Sequence, residues 1–350
     1  MYSLKDLRLG TAALLCTLTF AFIGHGQQAH SFDAAAGQTA TLEREVHANM
    51  NFLADDDLHG RGSATRDEHI TALFVAAKLQ SLGLEPGGEN GTFLQKSPLP
   101  DPLPDRVQQR LSKFQNVPRK ETWNAIGILR GTTSPNEVIL LTAHLDHLGI
   151  GPANVAGDTN YNGADDDASG TTAVLALARI LATGPRLRRT IVFALFGSEE
   201  LGGFGNRAFL AHPPVPLKNI VANLEFEMIG RPDPAIPAGT LWFTGFDRSD
   251  LGPELVKHGA HLVNDPHPTQ NFFRRSDNYA LAQQGVVAQT VSSFGLHKDY
   301  HQPSDELSTI DFTHMTKAIA SMVSPIRWLA NSNWKPEWNS GGKPEATPQR

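Results

Sequence analysis

Apolar and polar positions recur with two different periods along this chain, and the change of period divides it. From 42 to 82 the spacing is helical. The runs 42–53 and 68–82 place apolar residues every three or four positions, and the second stops at Gly83. Between them LADDDLHGRGSATRDE is a polar, glycine-containing loop. Residues 84–121 carry Pro86, Pro98, Pro100, Pro102, Pro104 and Pro118, and read as an irregular connection with an edge strand. From 123 the runs alternate. TWNAIGILR, EVILLTAHLD, TIVFALFGSEE, NIVANLEFEMIG, GTLWFTGF and VVAQTVSSF have the apolar continuity of strands. ASGTTAVLALARILAT, 203–211, 250–258 and 310–329 have helical spacing.

Strands buried on both faces between helices define an α/β fold: a mixed, centrally parallel sheet flanked by helices, in one main domain. The expected core is 123–330, with 30–122 as a helical and irregular segment packed on it. The tail 331–350, rich in Pro, Gly and Asn, is expected to be disordered.

At the N-terminus Lys5 and Arg8 precede an apolar segment over 9–23, then small and polar residues including Gly24, Gly26 and Ala29. This is the three-part layout of a signal peptide over 1–29, too short for a membrane span and cleavable after Gly26 or Ala29. The one cysteine, Cys16, follows Leu15 inside that segment, which disfavours a lipid anchor and leaves the mature chain without disulfides. A periplasmic or secreted protein is expected, with no stable membrane association after cleavage. A formal net charge of −6 and the lack of a basic stripe argue against nucleic acid as a partner.

The chemistry concentrates at ILLTAHLDHLGIGPANVAGDTNYNGADDDASG, residues 139–170. A strand ends at His144 and Asp146, and a glycine-rich loop leads to Asp165, Asp166 and Asp167. Three adjacent carboxylates repel one another unless a cation joins them, and imidazole with carboxylate suits zinc. Glu199 and Glu200 follow the next strand, Glu227 closes another, and His301 lies after the last. Open α/β sheets gather ligands at the carboxyl ends of their strands. Positions separated by 22, 34, 27 and 74 residues along His144, Asp166, Glu200, Glu227 and His301 can therefore meet.

In this order AHLDH, GADDDASG, GSEELGG, NLEFEMIG and YHQPSDEL resemble the motif set of the two-zinc aminopeptidase and glutamate-carboxypeptidase-like superfamily (peptidase clan MH), over about 42–325. The resemblance implies Asp166 bridging two zinc ions. Glu200 and His301 would complete one site, and His144 and Glu227 the other. It also implies Glu199 as general base, Asp146 steadying His144, a water nucleophile between the ions, and peptides as substrates. In this family the bond equivalent to Asp166-Asp167 is often cis.

The chain departs from the family at three points. Glu227 replaces a common aspartate. Glu225 shares its strand face as a rival ligand. Phe273 stands where some members carry an oxyanion-steadying tyrosine, leaving His297 or Tyr300 as substitutes. Milder readings apply elsewhere: Asp165 as a loop or capping residue, His147 as a surface residue or a brace for a ligand, Arg274 and Arg275 as exposed arginines, and Ser198 and Ser276 without nucleophile context. The expectation is an exported metallo-aminopeptidase. The alternatives are a one-zinc glutaminyl cyclase on the same fold and a non-enzymatic binding member.

Overall fold

Strands buried on both faces alternate with helices in the computed structural model, which describes residues 39–116, 118 and 120–346. The proposed signal segment, with Cys16, lies outside the described residues. Two compact units are present, 1–44 and 45–350. Residues 39–44, the described part of the first, are helical. The second opens with helix α1 (45–53) and continues through α2 (Arg66–Ser81), strands β1 (Glu85–Pro86) and β2 (Leu94–Pro98), and α3 (Asp105–Leu111).

The sheet core follows: β3 (Glu121–Leu129), β4 (Ser134–His144), the small hairpin β5 (Gly149–Ile150) and β6 (Asn160–Tyr161), α4 (Gly170–Ala182) and β7 (Arg189–Phe196). Then come α5 (Phe204–Ala211), β8 (Ile220–Phe226), β9 (Leu241–Phe243), α6 (Leu251–Lys257), β10 (Leu262–Asn264), α7 (Asn278–Gln283), β11 (Ala288–Ser292) and α8 (Phe312–Asn331).

Nine strands form one sheet in the order β1-β3-β7-β4-β8-β11-β9-β10, with β2 also on β3. The centre, β7-β4-β8-β11, is parallel, and antiparallel pairs lie at both flanks. All eight residues of β7 are buried, as a strand covered on both faces requires. Helix α4 packs on β4 and β8 and also contacts α8. It exposes little polar surface because Gly170 through Ala178 are all buried. The expected mixed, centrally parallel sheet flanked by helices is the observed one.

Two local expectations change. The segment 84–121 contributes two sheet strands and a helix, because β2 pairs with β3 over five positions despite the surrounding prolines. The tail is ordered through 346. Trp338 packs against the core beside Phe273, its Nε1 donating to Gly285 O (3.2 Å), and Asn339 donates to Arg248 O and Asp247 O. One half-buried aromatic anchors a stretch whose composition alone reads as unstructured.

Candidate metal and catalytic centre

The parallel centre of the sheet delivers its side chains to one edge. His144 ends β4, Glu199 and Glu200 follow β7, Glu227 follows β8, and His301 lies in the loop after β11. Between β6 and α4 the chain makes an irregular helical turn over Ala164–Ser169, within which the Asp166-Asp167 peptide bond is cis. Gly163 enters this turn at φ 56°, and a Cβ there would come within 2.1 Å of Asp166 O and 2.5 Å of the His147 ring. Only glycine fits that approach.

Each of the three aspartates has its own task. Asp166 reaches His144 Nε2 with Oδ1 (3.1 Å) and His301 Nε2 with Oδ2 (3.2 Å). Asp167 accepts from the backbone N–H of His144 (3.2 Å), Gly170 (2.9 Å) and Met228 (3.1 Å), tying β4, α4 and the end of β8 together. Asp165 accepts from Gly230 N–H (2.7 Å) and pairs with His297 Nε2 (3.0 Å). It is therefore a buried brace, not the loop or capping residue expected of it, because the turn points it inward at the chain after β8. Asp305 receives the N–H groups of Asp165 and Asp166 (3.0 and 3.1 Å).

Two donor groups share Asp166: His144, Asp166 and Glu227 on one side, and His147, Asp166 and Glu200 on the other. His301 joins the second, its Nε2 being 2.9 Å from Glu200 Oε1. His147 corrects the milder reading of it. It is fully buried, its Nδ1 lies 3.1 Å from Glu200 Oε1, and neither ring nitrogen has a hydrogen-bond partner. Burial lowers its pKa, so the ring stays neutral and able to ligate. A buried neutral imidazole aimed at two carboxylates, with its nitrogens unpaired, fits a cation. Glu225, the rival of Glu227, lies buried on the same face of β8, but its carboxylate receives the backbone N–H of Asn278 and belongs to neither group.

Electrostatics bear out the crowding. Burial works against a charged His144, yet Asp146 and Asp166 outweigh it and hold the imidazole well above its usual range. Burial and Glu200 push Asp166 upward, but His144, His147 and His301 hold it well below the carboxylate range. Burial, with Glu200, Asp277 and Glu227 adding to it, raises Glu199 well above a normal glutamate. Burial likewise pushes Glu227 up to about 7, with His144 opposing and Asp166 adding.

Asp146 does more than face His144. Its carboxylate lies 3.7 Å from His144 Nδ1 and its carbonyl oxygen 3.2 Å. The carboxylate also accepts from Glu199 N–H (3.0 Å), Glu200 N–H (3.3 Å) and Ser63 Oγ (2.5 Å), and so fixes the turn that carries Glu199 and Glu200. Ser198 enters that turn at φ 53° and donates to Glu68 Oε2 (2.8 Å), which ties the turn to α2.

Sequence patterns did not reveal Arg61, Glu68 or Arg110. Buried Arg61 donates to the carbonyl oxygens of Leu145 (3.1 Å), Asn162 (2.5 Å), Gly163 (3.0 Å) and Leu53, clamping three segments beneath the site. Arg110 of α3 donates to Glu200. The only signal for Arg61 was its place between Gly60 and Gly62 in a loop otherwise rich in acids. Phe273 packs in the core and offers no hydroxyl. His297 is engaged by Asp165. Tyr300 stacks on His301 with ring centroids 3.9 Å apart, and burial beside Asp166, Glu200 and Glu227 keeps its phenol strongly protonated.

The class defined by this fold and site is an α/β protein with two carboxylate–imidazole donor groups sharing Asp166 at the carboxyl edge of its sheet. The sequence profile of peptidase family M28 matches residues 124–325, and the chain belongs to that family. It is 24% identical over 213 residues to leucine aminopeptidase 1 of Sclerotinia sclerotiorum, covering 56% of this chain and 54% of that protein. It is 33% identical over 135 residues to an aminopeptidase of Pseudomonas aeruginosa, covering 38% of this chain and 22% of that protein. The chain thus spans about half of the first relative and less than a quarter of the second. In fold it is similar to BSAP, a zinc aminopeptidase from Bacillus subtilis (TM-score 0.62, 15% identity, 83% of this chain and 95% of that one). It is also similar to the glutaminyl cyclase of Porphyromonas gingivalis (TM-score 0.55, 16% identity, 82% and 97%).

Proposed function

We propose that this chain is an exported, zinc-dependent aminopeptidase that releases N-terminal residues from peptides. The observation that carries the reading is the pair of donor groups sharing Asp166, with Glu199 beside them in a cleft. His144, Asp166 and Glu227 would hold one zinc; Asp166, Glu200 and His301, with His147 behind, would hold the other. Zinc bound there would supply Lewis-acid polarisation of the scissile carbonyl and of the attacking water.

The chain's own residues do the rest. Glu199, held by Asp146 through its backbone N–H, takes the proton of the attacking water and passes it to the leaving amine. Its raised pKa suits a group that must both accept and return that proton. The Tyr300 phenol, protonated and beside the donor carboxylates, donates to the carbonyl oxygen as charge develops there. Export is supported by the apolar segment over 9–23, and among the described residues no helix is long and apolar enough to cross a membrane.

The test is zinc content per chain beside hydrolysis of aminoacyl anilides, for the parent protein and Glu199→Gln. Two zinc ions with release of the first residue are expected. The variant should keep both ions and lose about a thousand-fold in kcat. One zinc with cyclisation of N-terminal glutamine would make the protein a cyclase instead. The absence of bound metal would favour a binding member.

A further inference from the structure

Two of the cavities that meet the centre differ in kind. Beside Glu227 a narrow recess is walled by Trp242, Phe272 and Phe294. Beside Glu199, Glu200 and His301 lies an open cleft of about 500 Å³. An exopeptidase that frees the first residue needs a dead end for that side chain and an exit for the remainder. The recess is the dead end, and the cleft receives the leaving fragment. This assignment rests on the aminopeptidase reading.

The cleft's rim is positive. Helix α3 brings Arg106 and Arg110, four positions apart and so on one face. The turn before α7 brings Arg274 and Arg275 from a distant part of the chain. Arg110 already donates to Glu200. Among the described residues Arg106, Arg274 and Arg275 have no carboxylate within ion-pair distance, and all three are exposed. Arg275 is nonetheless held in place: it lies over the Phe272 ring at 4.8 Å, and its guanidinium is 3.3 Å from the Tyr300 hydroxyl and 3.4 Å from Gln270 Oε1. Arg274 lies over Tyr279 at 5.6 Å. Guanidiniums positioned by rings and neutral acceptors keep their charge for a ligand, and their planar forks match carboxylates. Of the cleft's three acids, Glu200 and Asp277 are buried and Glu199 is half-buried.

We infer that this rim binds a carboxylate on the leaving fragment. The preferred substrates are then di- and tripeptides with a free C-terminus, or peptides with an acidic residue directly after the cleaved bond. In a dipeptide the free carboxylate lies one residue beyond the scissile bond, about 3.5 Å of extended chain, within the reach of such a rim.

The experiment compares kcat/KM for Leu-Ala, Leu-Ala-amide, Leu-Asp-amide and leucyl anilide on the zinc-loaded enzyme. Leu-Ala should exceed its amide about ten-fold, and 0.5 M salt should compress the ratio, because exposed charges are screened. If Leu-Asp-amide matches Leu-Ala, the side chain is an equal source of the carboxylate; if it matches Leu-Ala-amide, the C-terminus is the source. Replacing Arg106, Arg274 and Arg275 together by Gln should bring the acid-to-amide ratio close to one. The ratio is read within each enzyme, so any loss of folded protein cancels. Equal rates for Leu-Ala and its amide, or a ratio that survives the triple variant, would overturn the inference while leaving the aminopeptidase reading intact. Failure to cleave any of the four compounds would overturn both.

Discussion

Tyr300 is the residue on which the proposed oxyanion contact rests. At the position where some relatives carry an oxyanion tyrosine, this chain has Phe273, buried against Tyr279 and Trp338. A phenol beside the donor carboxylates comes instead from the loop after β11. Tyr300→Phe should lower kcat about 100-fold with little change in KM or zinc content, as loss of a donor used only in the transition state requires. Steady-state kinetics beside metal analysis would check it. Single residues were legible where chemistry forces their type: His144, Asp166, Glu199, Glu200, Glu227 and His301 all reach one edge, as their positions after strands implied. Of the two readings of His147 the surface one fails, because a histidine near a ligand reads the same on a surface as in a core, and only the fold buries it. The separate tasks of Asp165 and Asp167 were hidden for the same reason. Three identical side chains in a row differ only in where an irregular turn aims them.

At the scale of elements, the site depends on joints between segments that carry no ligand. Arg61 joins the end of α1, the strand end after β4 and the loop before α4 through four carbonyl oxygens. Burial lowers its pKa to about 10, with Asp146, Asp167 and Asp305 opposing, so it remains a cation at neutral pH. Arg61→Lys should therefore destabilise the fold by about 3 kcal/mol, because an ammonium cannot span these acceptors and leaves buried carbonyls unpaired. Denaturant unfolding would measure it, and an unchanged midpoint would count against the clamp. The long strands and helices were readable from apolar runs because burial on both faces dictates their composition. Strand β1, the hairpin of β5 and β6 and the packed tail were not, since β1 and the tail owe their form to partners distant in sequence and two-residue strands are too short to show a period. Trp338 illustrates this: a single anchor holds a segment whose own residues carry no periodic signal.

The whole molecule gathers negative charge under its sheet edge, and its stability should follow pH accordingly. Burial raises Glu227 and Asp277 to about 7, whereas unfolded carboxyls titrate near 4. A folded acid that holds its proton more tightly contributes stability that is present below about pH 4 and lost as pH rises through about 7. Protein stripped with a chelator should thus melt at progressively lower temperature across that window. Zinc should restore the melting temperature most at the upper end, where the carboxylates are ionised and competent to ligate. Scanning calorimetry with and without chelator would show this, and coincident curves at all pH values would argue against a cation-binding centre. The donor residues are also spread from His144 to His301, at the end of β4 and on the segments after β6, β7, β8 and β11. No two neighbouring elements can assemble a cation site ahead of the rest. The parallel strands that deliver it have partners far away along the chain, the slowest kind of pairing to form. Metal capture is therefore the closing event in the life of a newly made molecule, so that the protein meets zinc in whatever compartment it finishes folding.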